Sequence, residues 1–541
     1  MAATSSNPST ASDSPPAPAG DVTHSSGRWW ALVAIAASVL VVGLDLTVLS
    51  LALPTMAVSL HASTSDLQWI TDAYSLVLAA LVLPAGLLGD RYGRKRMLVI
   101  ALILFGVSSL ACSYASSTGE LIAARAVLGV GAAAIFPLAL SVLPVLFAPE
   151  ERQRAIAAIS GATMLSFPIG PIVGGYLLSH FWWGSVFLIN VPIVVIAIIA
   201  VAVLMPESRS ARRPSIDLSG LFVSGVGLVA LTYGFIKAGQ DGWSNVTALL
   251  LIAAGVVILA LLPAVERRIE SRGGQPPADL RLFRSANFRW GTILVTLVSF
   301  AMFGLFFALP QYFQDVQGVD ALGSGIRLLP MIGGMLVGMV GGTRLAASGN
   351  EKVGPRTMVT VGYLIMAAAM VLGALTTLSS STGYVVAWVA LAGLGLGLVM
   401  PAAMGVALGA LSAERSGAGS ALITAMRQVG STIGVAVLGT VISNSYGHGV
   451  ASAAAHLPAQ AAAAVRSSVG AGVAVAGKLG SSSLLDTVRS SFVHGMSLML
   501  WTCGGIAVGC ALLAVTFLRT RPGNGSPSDT AGSEAGSISA M

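Results

Sequence analysis

Charge is what this chain lacks most. Asp, Glu, Lys and Arg together make up 9% of its 541 residues, where a soluble globular chain carries about 25%. A surface so bare of charge excludes a large water-soluble protein. Cysteine is nearly absent: Cys112, Cys503 and Cys510 lie in apolar runs without metal-ligand spacing to histidine and read as buried thiols. The six histidines fall in loops, tails or span ends, and no His-Glu-x-x-His, Gly-x-Ser-x-Gly or phosphate-loop string occurs. These absences exclude a metal centre, common hydrolytic chemistry and ATP as a direct energy source. No long basic stretch exists, so nucleic acid is not an expected partner.

Apolar runs are abundant instead. The chain is 55% hydrophobic, with a mean hydropathy of +0.84. Crossing the hydrocarbon core takes about 20 apolar residues as a helix, and lipid allows no unpaired backbone. The runs are continuous, not ten-residue alternations, so they predict an all-α membrane protein. Fourteen spans are expected, at 29–54, 69–89, 97–115, 120–146, 155–179, 185–205, 217–237, 246–264, 290–313, 326–346, 357–378, 384–411, 418–443 and 492–518. Residues 1–28 and 519–541 read as disordered cytoplasmic tails.

With the N-terminus inside, 21 of the 29 basic residues fall in cytoplasmic segments, three in external loops and five within or at the ends of spans, Arg344 among these at a cytoplasmic end. This asymmetry places both termini in the cytoplasm. It also supports fourteen spans, since a miscounted helix would invert the bias downstream. Two loops are long: the basic cytoplasmic linker 265–289 and an external Ala/Ser/Gly-rich stretch, 444–491, expected to hold one or two short helices.

An internal repeat organises the spans. GVGAAAIFP (129–137) aligns with GLGLGLVMP (393–401), and each run is followed by a short charged turn and a Gly-rich span. The offset pairs span 4 with span 12 and span 5 with span 13. The expected domains are therefore a six-helix half over 29–205, two inserted helices with the linker over 206–289, and a second six-helix half over 290–518. Such halves around a midplane cavity suit alternating access.

Ionisable groups inside a membrane are costly, about 2.5–3.5 kcal/mol each at a helix centre, so those present are functional candidates. Only Asp45 and Asp72 sit clearly inside spans among the acids, with Arg125 the clearest cation of the first half. Asp45 lies nine residues before Pro54, about 13 Å at helical rise, and the other two lie a few residues into spans that start outside. One shared polar cluster is expected. Asp45 or Asp72 beside Arg125 suits proton exchange; a static pair that staples helices is the alternative. Arg427 in span 13 is either a pathway residue or a snorkelling cation.

The loop GLLGDRYGRKRM (86–97) carries more than positive-inside anchoring requires. Gly86, Gly89 and Gly93 permit close helix approach and a tight turn. Asp90 suits a basic partner or a helix N-terminus, and Arg91 and Arg94 join Lys95 and Arg96 at the headgroups. Pro168 and Pro171 in SFPIGPIVGG (166–175) remove backbone donors, while Gly170, Gly174 and Gly175 allow tight packing on a neighbouring helix.

The 86–97 loop resembles the cytoplasmic signature of the major facilitator superfamily. LDLTVLSLALP (44–54), LQWITDAYSLVLAA (67–80), LIAARAVLGVGAA (121–133), SFPIGPIVGG and ERSGAGSALITAMRQVGSTIGVAVLGT (414–440) resemble motifs of its fourteen-span drug:proton antiporters, the EmrB/QacA-like family. The Trp69–Asp72–Tyr74 pattern leans toward QacA-like exporters. Two departures stand out: Ser50 where the family has Asn, and Gly184 where it has Arg. The resemblance covers about residues 29–518. It implies a proton-driven antiporter that needs no cofactor, exporting hydrophobic, cationic drugs, dyes or biocides across a bacterial cytoplasmic membrane; a monomer is expected. Asp45, Asp72 and Arg125 would couple protons. Asp45, Trp69, Asp72, Tyr74, Phe303, Phe306, Phe307 and Arg427 would line the substrate path. The alternative is a dedicated exporter of one metabolite or self-made antibiotic. Spans 10 and 13 carry no Asp or Glu, which leaves a neutral or anionic substrate open.

Overall fold

The computed structural model describes residues 27–147, 149–209, 218–242, 244–271, 280–347, 354–411 and 416–518. Apart from Gly27 and Arg28, the expected tails lie outside these. The described residues form helices, and no strand occurs among them. In hydrocarbon a helix satisfies its backbone polar groups from within, so long apolar runs take that form.

The first half holds α1 (Gly27–Ser59), α2 (Thr64–Tyr92), α3 (Arg94–Ser113), α4 (Thr118–Leu146), α5 (Pro149–His180), α6 (Ser185–Leu188) and α7 (Asn190–Leu204). Next come α8 (Leu218–Asp241) and α9 (Val246–Ser271). The second half holds α10 (Ala286–Gln311), α11 (Ala321–Ala347), α12 (Pro355–Ala374), α13 (Thr382–Gly409), α14 (Ser416–Ala454) and α17 (Ser482–Phe517). Two short helices, α15 (Ala459–Ser467) and α16 (Val469–Leu479), precede α17. Each expected span overlaps a helix, the sixth being broken into α6 and α7. Eleven segments among the described residues are long and apolar enough to cross a membrane; α2 is not among them, and α8 and α9 carry only the shorter apolar stretches Gly225–Ala238 and Val246–Leu261.

The repeat has a structural counterpart. Gly129 of α4 packs on the Tyr74 backbone of α2, and Gly131 packs on Ala101 and Phe105 of α3. In the second half, Gly393 of α13 packs on the Met331 backbone of α11, and Gly395 on Gly362 and Met366 of α12. A methyl group on Gly131 would sit 2.9 Å from the Ala101 carbonyl oxygen, and one on Gly395 would sit 2.7 Å from that of Gly362. The same glycine spacing thus lets the fourth helix of each half approach two neighbours at backbone distance. Each half builds its own apolar core on this scaffold.

The two ends of the bundle differ. At one, the cap end, Gly470 of α16 faces Ala57 of α1, and the Thr64 hydroxyl donates to the Ser467 carbonyl at 3.1 Å. At the other, the basic end, Gly93 turns the chain between α2 and α3 at φ 112°. A side chain there would also meet the Glu207 carboxylate, at 2.6 Å. Glu207 accepts hydrogen bonds from the Lys95 and Arg96 amides at 3.2 Å each, so it caps the N-terminus of α3.

Bonds between the halves gather toward the cap end. Gln68 of α2 donates to the Val435 and Ala436 carbonyls of α14 at 3.2 and 3.0 Å. Gln314, in the π turn that continues α10, donates to the Leu51 carbonyl at 2.9 Å. Ser179 of α5 donates to Asp320 at 3.2 Å, and Gly175 lies against the Ala321–Leu322 backbone. Two seams result, α5–α11 and α2–α14. The second is backed by α8, whose Leu228 packs with Leu76 and Val429, and α9 packs on α8.

Replacing Gly131 or Gly395 by Leu overpacks a helix crossing and is expected to destabilise the fold by about 1–3 kcal/mol or more. Thermal unfolding of detergent-purified protein checks this. Gly405→Ala, which faces open space, should match wild type; equal tolerance at all three positions would remove the close-packing role.

Candidate functional site

Arg125 organises the interior of the first half. Seven residues along α4, its side chain is fully buried, and its Nη1 pairs with Asp45 Oδ2 at 2.5 Å. Nε donates to the Ile70 carbonyl at 3.0 Å. The guanidinium lies over the Tyr74 ring, 4.4 Å from its centroid, with Phe187 at 5.8 Å on another side. A planar, weakly hydrated cation is suited to this mixture of carboxylate, carbonyl and ring faces. Asp45 Oδ1 accepts from Asn190 Nδ2 at 3.4 Å, and Asn190 also donates to the Ser109 hydroxyl at 3.1 Å. Five helices therefore meet at one ion pair: α1 through Asp45, α2 through Ile70 and Tyr74, α3 through Ser109, α4 through Arg125 and α7 through Asn190.

Asp72 does not join this cluster, which corrects the expected three-residue grouping. Ile70 and Tyr74 face α4, and Asp72, two residues from each, falls on the opposite side of α2. It is fully buried, and both its carboxylate oxygens lack a hydrogen-bond partner among the described residues. Trp69 likewise turns away from α4 and packs on Tyr233 of α8, ring centroids 5.9 Å apart.

A cavity of about 170 Å³ lies between the halves. Gly43, Leu46, Thr47, Thr163, Ser166 and Phe167 form part of its first-half wall, and Met302, Phe303, Phe306, Thr424, Arg427 and Gln428 its second-half wall. Phe303, Phe306 and Arg427 thus line the space between the halves. Arg427 is its one charged side chain among the described residues, with Nε unpaired. A second space of about 20 Å³ is lined by Ser50, Leu53, Thr71, Arg125 and Phe307, and shares Leu46, Phe303 and Phe306 with the first. Trp69 and Tyr74 line neither.

The motif segments divide between ends. Gly170 and Gly174 of α5 pack on Thr47 and Val48 of α1, while Gly175 faces α11. Pro171 presents its carbonyl to Gly325 of α11, and Pro168 lies one turn before it in α5. At the basic end, Gly86 faces Pro137 and Gly89 packs on Leu138 of α4. Arg91 is exposed over the Tyr92 ring, and the Arg94 amide donates to the Ser208 carbonyl at 2.9 Å. The Asp90 side chain lies outside the described residues. Gly184, where the family has Arg, sits on the Ser113 carbonyl and the Trp182 indole, with no room for a side chain.

Sequence reading missed three polar residues that the fold brings to the interior or to a helix end. Asn190 stands in the string LINVP (188–192), where an amide inside an apolar run was the available signal. Asp315 fell beyond the expected end of span 9; the π turn Tyr312–Val316 carries it into the interior, where its Oδ2 has no hydrogen-bond partner among the described residues. Glu207 caps α3 from the far end of the first half, a contact no local pattern announces.

Asp45→Leu leaves Arg125 charged and unpaired, which costs about 3–5 kcal/mol in buried pairs. Thermal unfolding should show that loss, and the double variant Asp45→Leu/Arg125→Met should recover part of it. No difference between the single and double variants would dismiss the pair as a structural tie.

The chain matches the sequence profile of the Major Facilitator Superfamily over residues 35–435. It is 34% identical over 517 residues to the tetracenomycin C resistance and export protein of Streptomyces glaucescens, covering 93% of this chain and 94% of that one. It is 33% identical to the multidrug efflux pump LfrA of Mycolicibacterium smegmatis, covering 87% and 92% of the two chains. Identity to the methyl viologen resistance protein SmvA of Salmonella typhimurium is 31%, over 90% and 97%. In fold it is similar to the inward-facing, unoccupied crystal structure of a bacterial homologue of the human lysosomal transporter Spinster, with a TM-score of 0.67, 18% identity, and coverage of 92% of this chain and 99% of that chain. These relatives and fold neighbours are transporters and not enzymes, and the chain belongs to the Major Facilitator Superfamily, among its drug and antibiotic resistance exporters.

Proposed function

We propose that this protein exports hydrophobic drug-like molecules from the bacterial cytoplasm in exchange for protons. Fourteen helices cross the membrane, with the basic end and both termini in the cytoplasm and the protein acting as a monomer. The observation that carries the exchange is the shared wall of the two internal spaces. Leu46, Phe303 and Phe306 face both the cavity between the halves and the space at Arg125. A molecule that pushes on these side chains acts on the surroundings of the Asp45–Arg125 pair. A proton on Asp45 removes one end of that pair, while Arg125 keeps the Ile70 carbonyl and the Tyr74 face. Substrate occupancy and protonation are then linked through differential affinity for the two states. Moving one charge across 100 mV supplies about 2.3 kcal/mol.

Alternating access needs the cap-end seams to part. The Gln68, Gln314 and Ser179 bonds and the Gly175 contact are the interactions to be exchanged. Glu207 holds the Lys95 and Arg96 amides at the start of α3, so the turn between α2 and α3 is tied to the end of α7 and moves with the first half. Few strong bonds joining two well-packed halves suit rigid-body rocking.

The charge of the cavity favours a second reading of the substrate. Its described lining holds Arg427 and no carboxylate, so a neutral or anionic molecule fits its electrostatics better than the expected cation. The relatives named for tetracenomycin C export and as a probable actinorhodin transporter accord with a dedicated exporter of a single compound.

The test is dye export from energised cells. Ethidium and a carboxylated polycyclic dye are loaded side by side, with and without a protonophore, in wild type, Asp45→Asn and Arg427→Gln at matched membrane levels. Proton antiport requires that the protonophore and Asp45→Asn each stop export. Arg427→Gln should weaken handling of the anionic dye about tenfold, equivalent to about 1.4 kcal/mol, and spare ethidium. Export that survives the protonophore would defeat the coupling reading, and equal loss of both dyes on Arg427→Gln would defeat the charge reading.

A further inference from the structure

The seam α2–α14–α8 contains a polar layer separate from the Asp45–Arg125 pair. Its position follows from the register of three helices. Leu76 of α2, Leu228 of α8 and Val429 of α14 pack together. One turn toward the cap end from this apolar contact stand Asp72 on α2, Thr232 on α8 and Thr432 on α14. The next layer is fixed from the other side: Gln68 bonds to the Val435 and Ala436 carbonyls, and the Thr440 hydroxyl donates to the Phe235 carbonyl at 3.1 Å. Asp72 lies between Gln68 and Leu76 on one face of α2, and Thr432 lies midway between Val429 and Val435 on α14. The three side chains are thus held between a hydrophobic floor and a hydrogen-bonded lid.

All three share one property. Asp72, Thr232 and Thr432 are each fully buried, and Asp72 Oδ1 and Oδ2 and both threonine hydroxyls have no hydrogen-bond partner among the described residues. Half-buried Thr71, Thr163, Thr296 and Thr424 return their hydroxyls to a carbonyl of their own helix; Thr292 and Thr376 are also buried and unpaired, but on α10 and after α12 and not beside a buried acid of this seam. Charged and titratable groups on the surrounding elements are engaged elsewhere or face other spaces. Arg125 on α4 pairs with Asp45 of α1. Glu120 on α4 is exposed and bonded to Ser116. On α8, Lys237 pairs with Asp241 at 2.7 Å, and Tyr233 lies on Trp69. Arg427 on α14 lines the central cavity, and Tyr74 of α2 lies under Arg125.

An ionised carboxylate buried without a counter-charge or hydrogen bond is prohibitively costly. We propose that Asp72 holds a proton in this conformation, inside a three-helix site whose hydroxyl partners are Thr232 of α8 and Thr432 of α14. The carboxylic acid has one O–H to donate and a carbonyl to accept, and each threonine hydroxyl supplies the complement through one bridging water. Helix α8 then forms a wall of a proton site. This deepens the antiport reading and rests on it only for the consequence that parting of α2 from α14 uncovers Asp72 and lets the proton leave.

The test reads the acid itself and needs no transport. Infrared difference spectra of the purified protein in lipid nanodiscs, recorded across a pH titration, report protonated carboxyl C=O stretches. The expected result is a band lost in Asp72→Asn and kept in Asp315→Asn. Thr232→Val and Thr432→Val should each move that band to higher frequency, as loss of a hydrogen bond does, and Thr232→Ser should restore it. Both valine variants retain Asp72, so the result does not depend on Asp72→Asn folding. Absence of an Asp72-dependent band, or a band unmoved by Thr232→Val and Thr432→Val, would overturn the proposal. A band that behaves as expected in a protein whose dye export ignores the protonophore would leave this site standing and remove the antiport reading.

Discussion

The buried Asp45–Arg125 ion pair is the constraint around which the first half is built. A guanidinium taken out of water must be compensated from several directions at once. Here that demand sets the rotation of α1, α2 and α4 through Asp45, Ile70, Tyr74 and Arg125. Asn190 extends it to α3 and α7. Any rotation of one of these helices breaks a bond to a buried charge. The half is therefore stiff for an electrostatic reason as well as a packing one, and motion is displaced to the seams between halves.

Cohesion within the halves and cohesion between them have different chemistry. Inside each half, glycines at matched positions of α4 and α13 bring backbones together over long crossings. Lipid tails are as apolar as the side chains, so such close approach supplies association that the hydrophobic effect does not. Across the cap-end seams, cohesion includes amide and hydroxyl bonds from Gln68, Gln314 and Ser179, with Gly175 permitting contact of α5 with α11. Bonds of this type are individually modest and can be exchanged for water when a seam opens. Tight halves joined by replaceable polar contacts are what a two-state transporter requires.

Much of this was legible in the sequence because the bilayer imposes length and polarity on every span. The helices, the repeat at Gly129 and Gly393, and the pairing of Arg125 with an acid all follow from local patterns and from the cost of charge in lipid. Which acid Arg125 takes was not legible: Asp45 and Asp72 lie at similar depths, and the choice depends on the rotation of α2, where Ile70 and Tyr74 rather than Asp72 face α4. Asp315 escaped because a π turn continues α10 past the expected end of its span. Glu207 escaped because helix capping across 111 residues leaves no periodic trace. Arg427 was identifiable as a charge in a span, but its place in the cavity wall depends on how two halves meet.

The small space beside Arg125 has a bearing on ion choice. At about 20 Å³, it has room for one water molecule, since a buried water needs roughly 10–15 Å³ of such volume. A sodium ion with its hydration shell does not fit there. An ion reaching the Asp45–Arg125 pair from the side of the phenylalanines would have to shed nearly all its water first, whereas under the proposed exchange a proton would need only a single water molecule to hop along. Selection between the two would then follow from steric exclusion in a space one water wide, with no dedicated ring of ligands.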